Sequence, residues 1–351
     1  MQDNLRKIIA DGILAPSGEN CQPWKFVIDK NTVKIFNVPT ADQSLYNFKQ
    51  RGSYVAEGAL IENMVLSAEE RGYKAEVSIF PAAGTLDLVA TITFAPSVSQ
   101  KNPLYESIPK RCTNRKTYTG QKLSHEQKQK LGEAARSAGG EFRLVDDEAS
   151  LKTLGRAMAV NEKVLFENKK LHDFFYTHIL WKEAEQRRSG GFYIKTLEFL
   201  PHQLKGVKLF KNWFILNLLN KLVKVSDKIV AENAEKYAGS GSIGIIVANG
   251  NTDTDFVNAG RAVERVWLTA TSLGLAVHPC TGVLYFMERI KGGDTSSFSP
   301  IHIELIKSAY NDIVNTFGVS GKTIPMLFRI GFSDGPSAKA MRVEPKVEIK
   351  S

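Results

Sequence analysis

Two well-separated stretches, "GALIENMVLSAEERGY" and "AGRAVERVWLTATSLGL", follow one plan and constrain this chain more than any other feature. Around the first, Val55, Ala59, Ile61, Met64, Val65, Leu66 and Ala68 recur at helical spacing, and their apolar stripe is broad enough to be covered on more than one side. In the second, Ala259, Val263, Val266, Trp267, Ala270 and Leu273 form a core-facing stripe that stops at Gly274. Each stretch predicts a central core helix. Their common plan predicts a diverged internal duplication.

The rest of the pattern is mixed α and β. The first half reads as helix (4 to 14), strand (24 to 28), strand (33 to 37), long helix (52 to 72) and strands near 74 to 80 and 86 to 95. "APSVSQKNP", 95 to 103, lacks periodicity and marks the joint between two units, 1–100 and 101–351. Beyond it, Asn102 is placed to cap a short helix begun by Pro103. A helix (125 to 138), a strand (140 to 145), a buried strand (242 to 249) and the second core helix follow. Residues 155–238, mostly helical and rich in Lys and aromatics, read as an insertion.

At 351 residues, with 43% hydrophobic and 24% charged residues, the chain is long and apolar enough to bury a large core. A formal net charge of +9 favours an anionic partner such as nucleic acid, a lipid surface, or a phosphorylated cofactor or substrate. The basic residues are spread out and no nucleic-acid signature accompanies them. Cys21, Cys112 and Cys280 are far apart and form no C-x-x-C, which argues against a disulfide framework or zinc and fits a reducing cytoplasm. No signal peptide is visible. Trp213 to Val223 is about half of the roughly 20 residues that a membrane-spanning helix needs.

Several chemistries lack their parts. Gly239, Gly241 and Gly244 match G-x-G-x-x-G, but they precede a strand instead of opening a helix, so the dinucleotide reading fails. His172 and His178 lack the metalloprotease spacing, and neither a G-x-S-x-G elbow nor a P-loop occurs. Three stretches are more telling. In "RCTNR", an extended chain beyond Pro109 puts Arg111, Thr113 and Arg115 on one side, an array suited to a phosphate dianion, although a solvated basic turn fits the same letters. In "APSGENCQPW", Asn20 and Gln22 carry both donors and acceptors, suited to the edge of a flat heterocycle, with a local turn as the simpler alternative. "GLAVHPCTG" places His278, Pro279 and Gly282 in a tight connection after the core helix.

Together with "PMLFRIGF" near the end, these stretches resemble the nitroreductase family of FMN-dependent oxidoreductases, over roughly residues 1–150 and 239–335. The resemblance implies an α+β, nitroreductase-like fold with FMN bound where two units meet. Pro16, Ser17, Gly18, Asn20 and Gln22 would contact the flavin ring and ribityl chain. Arg111, Thr113, Arg115 and Arg329 would hold the phosphate, and the loop with His278, Pro279 and Gly282 would lie near the ring. The departures matter as much. The first unit has the amide loop without an arginine element, and the second has the arginines without an amide loop. The arrangement is similar to the fused two-repeat, Acg-like branch: a tandem repeat forming an internal pseudo-dimer, monomeric as a chain, with one flavin site and the 155–238 insertion as a helical lid.

The activity implied is an FMN-dependent NAD(P)H oxidoreductase. Ping-pong hydride transfer would pass through flavin N5 from NADH or NADPH to a nitro, quinone or similar acceptor, with no catalytic side chain required. The alternative is a flavin-sequestering or stress-related FMN-binding protein whose lid blocks turnover. Neither needs a metal, nucleic acid or membrane span, and a small molecule is the expected substrate.

Overall fold

A computed structural model describes residues 1–82 and 87–350. The helix α1 (Gln2–Gly12) leads to strands β1 (Trp24–Asp29) and β2 (Thr32–Asn37), helix α2 (Arg51–Glu70), and strands β3 (Tyr73–Ile79) and β4 (Leu88–Pro96). Residue 86, where the sequence places the start of that last strand, lies outside the described residues. Then come α3 (His125–Ser137), β5 (Glu141–Val145), α4 (Glu148–Glu167), α5 (Lys169–Thr177), two short strands β6 (Ile179–Leu180) and β7 (Phe192–Tyr193), α6 (Pro201–Phe210), α7 (Trp213–Val223) and α8 (Val225–Ala238). The chain continues through β8 (Ser242–Ala248), α9 (Asp253–Ser272), β9 (Ala276–Pro279), α10 (Gly282–Lys291), α11 (Pro300–Phe317), β10 (Thr323–Gly331) and β11 (Val347–Lys350).

The main strands form two sheets, ordered β11-β1-β2-β4-β3 and β5-β8-β10-β9. β11 crosses from the far end of the chain to pair parallel with β1, in the register Phe26↔Val347. The mixed α and β class read from the sequence is the class observed. β8 is a continuous apolar run because both of its faces are covered. Ile246 packs toward α9, whereas Ile243, Ile245 and Val247 meet α4 and α11.

Both core stretches form 20-residue helices, α2 and α9, and each ends two residues before a glycine, Gly72 and Gly274. α2 lies on the first sheet with Leu60, Ile61 and Met64 and turns Val55 toward the α9 core, while α9 lies on the second sheet with Val263, Val266 and Trp267. They cross with backbones in contact. A Cβ added at Gly58 would sit 1.9 Å from the Val257 carbonyl oxygen, and one at Gly260 would sit 2.1 Å from that of Val55. Beside the crossing, the fully buried Glu62 of α2 accepts from Arg265 Nε at 2.6 Å and from Arg261 Nε at 3.0 Å. Pairing of this kind keeps a buried carboxylate ionised.

Two local expectations fail. Ile108, which the ring of the following Pro109 is expected to bias away from helix, is helical (φ −52°, ψ −55°), because its side chain is buried against Leu66 and Leu268 and a tight turn closes from Arg111 N to Ser107 O at 2.8 Å. Tertiary packing outweighs the pre-proline bias. Asn102 accepts from Leu104 N at 3.1 Å, but the turn it starts is a single 3₁₀ segment, Tyr105–Ser107, without a helix from Pro103. Among the described residues no helix is long and apolar enough to cross a membrane.

The crossing gives a direct test. Gly260→Ala should cost about 3 kcal/mol or more in urea unfolding, since neither backbone can yield without moving a sheet. Gly206→Ala, on α6 where the new Cβ meets only Phe210 at 3.6 Å, should be neutral or slightly stabilising. Equal stabilities for the two variants would mean that the helices do not touch at Gly260.

Candidate functional site

A cavity of about 1120 Å³ lies beside the helix crossing, with Val55 and Ala56 of α2 and Val263 and Trp267 of α9 in its lining. It gathers eight of the residues singled out in the sequence: Pro16, Ser17, Gly18, Thr113, Arg115, His278, Pro279 and Gly282. Residues of 155–238 also line it, including Glu162, Phe192, Phe199, Phe210, Lys236 and Tyr237. Gly282 is required where it stands, because a Cβ there would meet Asn161 Oδ1 of α4 at 2.0 Å. Asn20, Gln22, Arg111 and Arg329 are not among the lining residues of this cavity.

The two amides have other partners. Asn20 Nδ2 donates to Met341 O at 2.9 Å, and Asn20 Oδ1 accepts from the Arg342 guanidinium at 2.9 Å. Gln22 Oε1 accepts from Val343 N at 3.0 Å, and its Nε2 donates to Asn20 O at 3.2 Å. The segment leading into β11 therefore occupies both amides. The loop itself is strained. Glu19, Asn20 and Gln22 all have left-handed φ, at 46°, 60° and 53°, each costing on the order of 1 to 3 kcal/mol. Ser17 Oγ, accepting from Gln22 N at 3.0 Å, helps to hold that shape. The amides thus fix the loop, and Pro16 to Glu19 are what it presents to the cavity.

The arginine element also divides. Arg111 is buried over the Trp267 ring, 4.5 Å from its centroid, and donates to Leu14 O at 2.6 Å. Its Nε lies 3.1 Å from a carboxylate oxygen of the fully buried Glu264, with the N–H aimed off the oxygen. Burial pushes Glu264 up to about 7 even though Arg111 pulls it down. With Asn20, Arg111 borders a second cavity of about 140 Å³, which shares Thr113 and Arg115 with the larger one. Arg115 points elsewhere, donating to Thr196 O at 3.0 Å. Thr113 is held by a bridge to Val277 of β9.

Beside His278 the charges do not balance. Arg329 has no exposed surface. It donates to Ser240 Oγ at 2.7 Å and Lys116 O at 3.2 Å, its ends lie over Tyr118 and Tyr237, and one nitrogen is 3.2 Å from His278 Nδ1. Lys236 of α8 lines the same cavity. Burial lowers the pKa of Arg115, and it lowers Lys236 too, helped by Arg329 and Arg115. His278 is held well below the usual range by burial and by Arg329, Arg115 and Lys236. Among the described residues none of Arg115, Lys236 and Arg329 has a carboxylate within ion-pair distance. An anion would relieve this repulsion. Sequence reasoning missed Lys236, which is one lysine in a lysine-rich stretch and carries no local signal.

Six carboxyl side chains, Glu19, Asp42, Glu162, Glu198, Glu232 and Asp334, also line the cavity, and two of them hold buried oxygens without partners. Glu19 Oε2 and Glu162 Oε2 are buried without hydrogen-bond partners, and Glu162 Oε1 accepts from Tyr237 OH at 2.7 Å. Burial raises Glu19 well above the carboxylate range, with Asp42 adding to the effect, and raises Glu162 to about 7.

The two arginines should separate in mutagenesis. Arg111→Ala strands Glu264 and should destabilise the fold by about 3 to 5 kcal/mol, whereas Arg115→Ala should change it by no more than about 1 kcal/mol. Urea melts of both variants check this, and equal losses would contradict it. Glu162 gives a pH test. Its folded pKa lies above the unfolded value, so its contribution falls as pH rises from about 4.5 to about 7, by at most about 3 kcal/mol since the open cavity hydrates it. Unfolding midpoints measured across that range should slope less in Glu162→Gln.

Comparison with known proteins adds a second line. No family model matches the chain. An uncharacterized Mycobacterium tuberculosis protein, MT1398, is 23% identical over 94% of this chain and 46% of its own length, so the chain spans about half of that relative. A second M. tuberculosis protein, called "Putative NAD(P)H nitroreductase Rv3131", is 24% identical over 80% of this chain and 76% of its own. Among solved structures, a Bacteroides fragilis nitroreductase with bound FMN is similar at 14% identity and a TM-score of 0.38, covering 69% of this chain and 95% of its own. By sequence, the chain is similar to a protein called a putative NAD(P)H nitroreductase, a name from the family that its own motifs resemble.

Proposed function

We propose that the large cavity holds FMN and that the chain is an NAD(P)H-dependent oxidoreductase. The observation that carries this reading is the unbalanced cluster of Arg115, Lys236 and Arg329 around His278, at a cavity also lined by the strained loop. The residues fit the group. Arg115 and Lys236, with the Thr113 hydroxyl, would hold a phosphate dianion, and charge-assisted bonds of this kind contribute roughly 1.5 to 3 kcal/mol each. Arg329 supports His278 from behind. The loop Pro16 to Gly18 and the His278 to Gly282 turn would bracket the ring, with the buried Glu19 and Glu162 carboxyls as further polar groups beside it.

When bound, FMN supplies hydride transfer from NADH or NADPH to an acceptor such as a nitro compound or quinone, in alternating half-reactions that share one binding place. The chain binds, orients and excludes water. In this reading residues 1–100 give the amide loop and 101–351 give the cations, so that two units within one chain, a tandem repeat forming an internal pseudo-dimer, complete a single site. Asn20 and Gln22 shape the loop instead of reading the ring, and Arg111 stabilises the fold. A flavin-sequestering protein is the second reading. It is favoured by the residues of 155–238 that wall the cavity, among them Phe174, Phe175, Phe192, Phe199 and Phe210.

The purified chain should bind FMN at one per polypeptide by phosphorus and flavin assay. Lys236→Ala or Arg115→Ala should weaken FMN by about 10- to 150-fold while leaving riboflavin nearly unaffected. A protein that cannot be reconstituted with FMN would refute the proposal. Anaerobic mixing of the yellow protein with NADH or NADPH separates the readings, since only the oxidoreductase bleaches at a useful rate.

A further inference from the structure

α6 contributes Phe210 to the cavity, but the exposed surface that it shares with α7 is unlike the rest of the molecule. Among the described residues, six of the ten exposed large hydrophobic side chains fall between residues 200 and 223: Leu200, Leu209, Phe214, Leu218, Leu222 and Val223, with Phe214 83% exposed. On α7, Phe214, Leu218 and Leu222 follow at intervals of four and form one stripe. The orientation of that stripe is fixed from behind. Leu216 is fully buried, Asn220 Nδ2 donates to Phe166 O at 2.9 Å, and Trp213 packs edge-on against His172 at 5.0 Å. The apolar face cannot roll inward without losing these contacts.

The charge around it is one-sided. Residues 199–226 contain Lys205, Lys208, Lys211, Lys221 and Lys224 and no Asp or Glu. All five lysines are exposed, and among the described residues none makes an ion pair. An apolar stripe rimmed by unpaired lysines complements a surface with a hydrocarbon interior and an anionic face. At 11 residues, α7 is far short of the roughly 20 needed to span a bilayer, so such a helix lies in the plane of the interface.

We propose that α6 and α7 dock this chain on an anionic membrane surface, Phe214, Leu218 and Leu222 entering the headgroup boundary and the five lysines contacting acidic headgroups. This does not depend on the flavin reading, and its test is independent of FMN content. The full chain is sedimented with vesicles of phosphatidylcholine alone and of phosphatidylcholine with about one third phosphatidylglycerol. Binding should appear with the anionic vesicles only and weaken as salt rises. Lys208→Gln with Lys211→Gln should weaken it by about fivefold per charge, and Phe214→Ser with Leu218→Ser should abolish it while circular dichroism stays native. No binding to anionic vesicles, or binding unchanged by both double variants, would overturn the proposal. So would a dimer in light scattering that Phe214→Ser with Leu218→Ser converts to monomer, since the face would then serve a second copy of the chain.

Discussion

The crossing of α2 and α9 is the contact on which the other layers depend. Gly58 and Gly260 let two backbones meet with no side chain between them, and Glu62 with Arg261 and Arg265 ties the helices beside that point. Each helix carries its own sheet, so their separation sets the distance between the sheets. It also sets the cavity, whose lining takes Val55 and Ala56 from one helix and Val263 and Trp267 from the other. One added methyl at the crossing would wedge the sheets apart. The apolar stripes are broad because each helix is covered by a sheet on one side and by the other helix on the other.

Two kinds of buried ion stand in contrast among the described residues. Glu62 and Glu264 sit with arginines within about 3 Å, where charge is neutralised inside the protein and serves the fold. Arg329 lies 3.2 Å from His278, Arg115 and Lys236 line the same cavity as that ring, and none of the three has a carboxylate within ion-pair distance among the described residues. Desolvating like charges together is costly, and perturbed groups of this kind lining a cavity mark a candidate functional site. The contrast separates Arg111 from Arg115, although both stand in the same five-residue motif.

Much of the architecture was legible because it rests on local periodicity. The two core helices, the hairpin β1–β2, the buried strand β8 and the failure of the glycine fingerprint all follow from spacing within a few turns or residues. The loop, the arginine element and the His278 turn were legible as motifs, and eight of their residues line one cavity. What was not legible depends on distant chain. Nothing near Arg111 announces Glu264, and nothing near Lys236 announces Arg329. The helical Ile108 likewise follows from its burial against Leu66 and Leu268, which local bias cannot report.

The strap that holds Asn20 and Gln22 has a consequence for biosynthesis. Asn20 and Met341 are 321 residues apart in sequence, so the strained loop has its partners only after nearly all of the chain described here has been made. At about 5 to 20 residues per second, ribosomal elongation puts roughly 15 to 60 s between the two. During that interval the nascent loop has no Met341 carbonyl, Arg342 guanidinium or Val343 amide to pay for its left-handed residues. The pocket therefore matures only after the segment that becomes β11 has cleared the exit tunnel, and any ligand that needs the finished loop binds after that point.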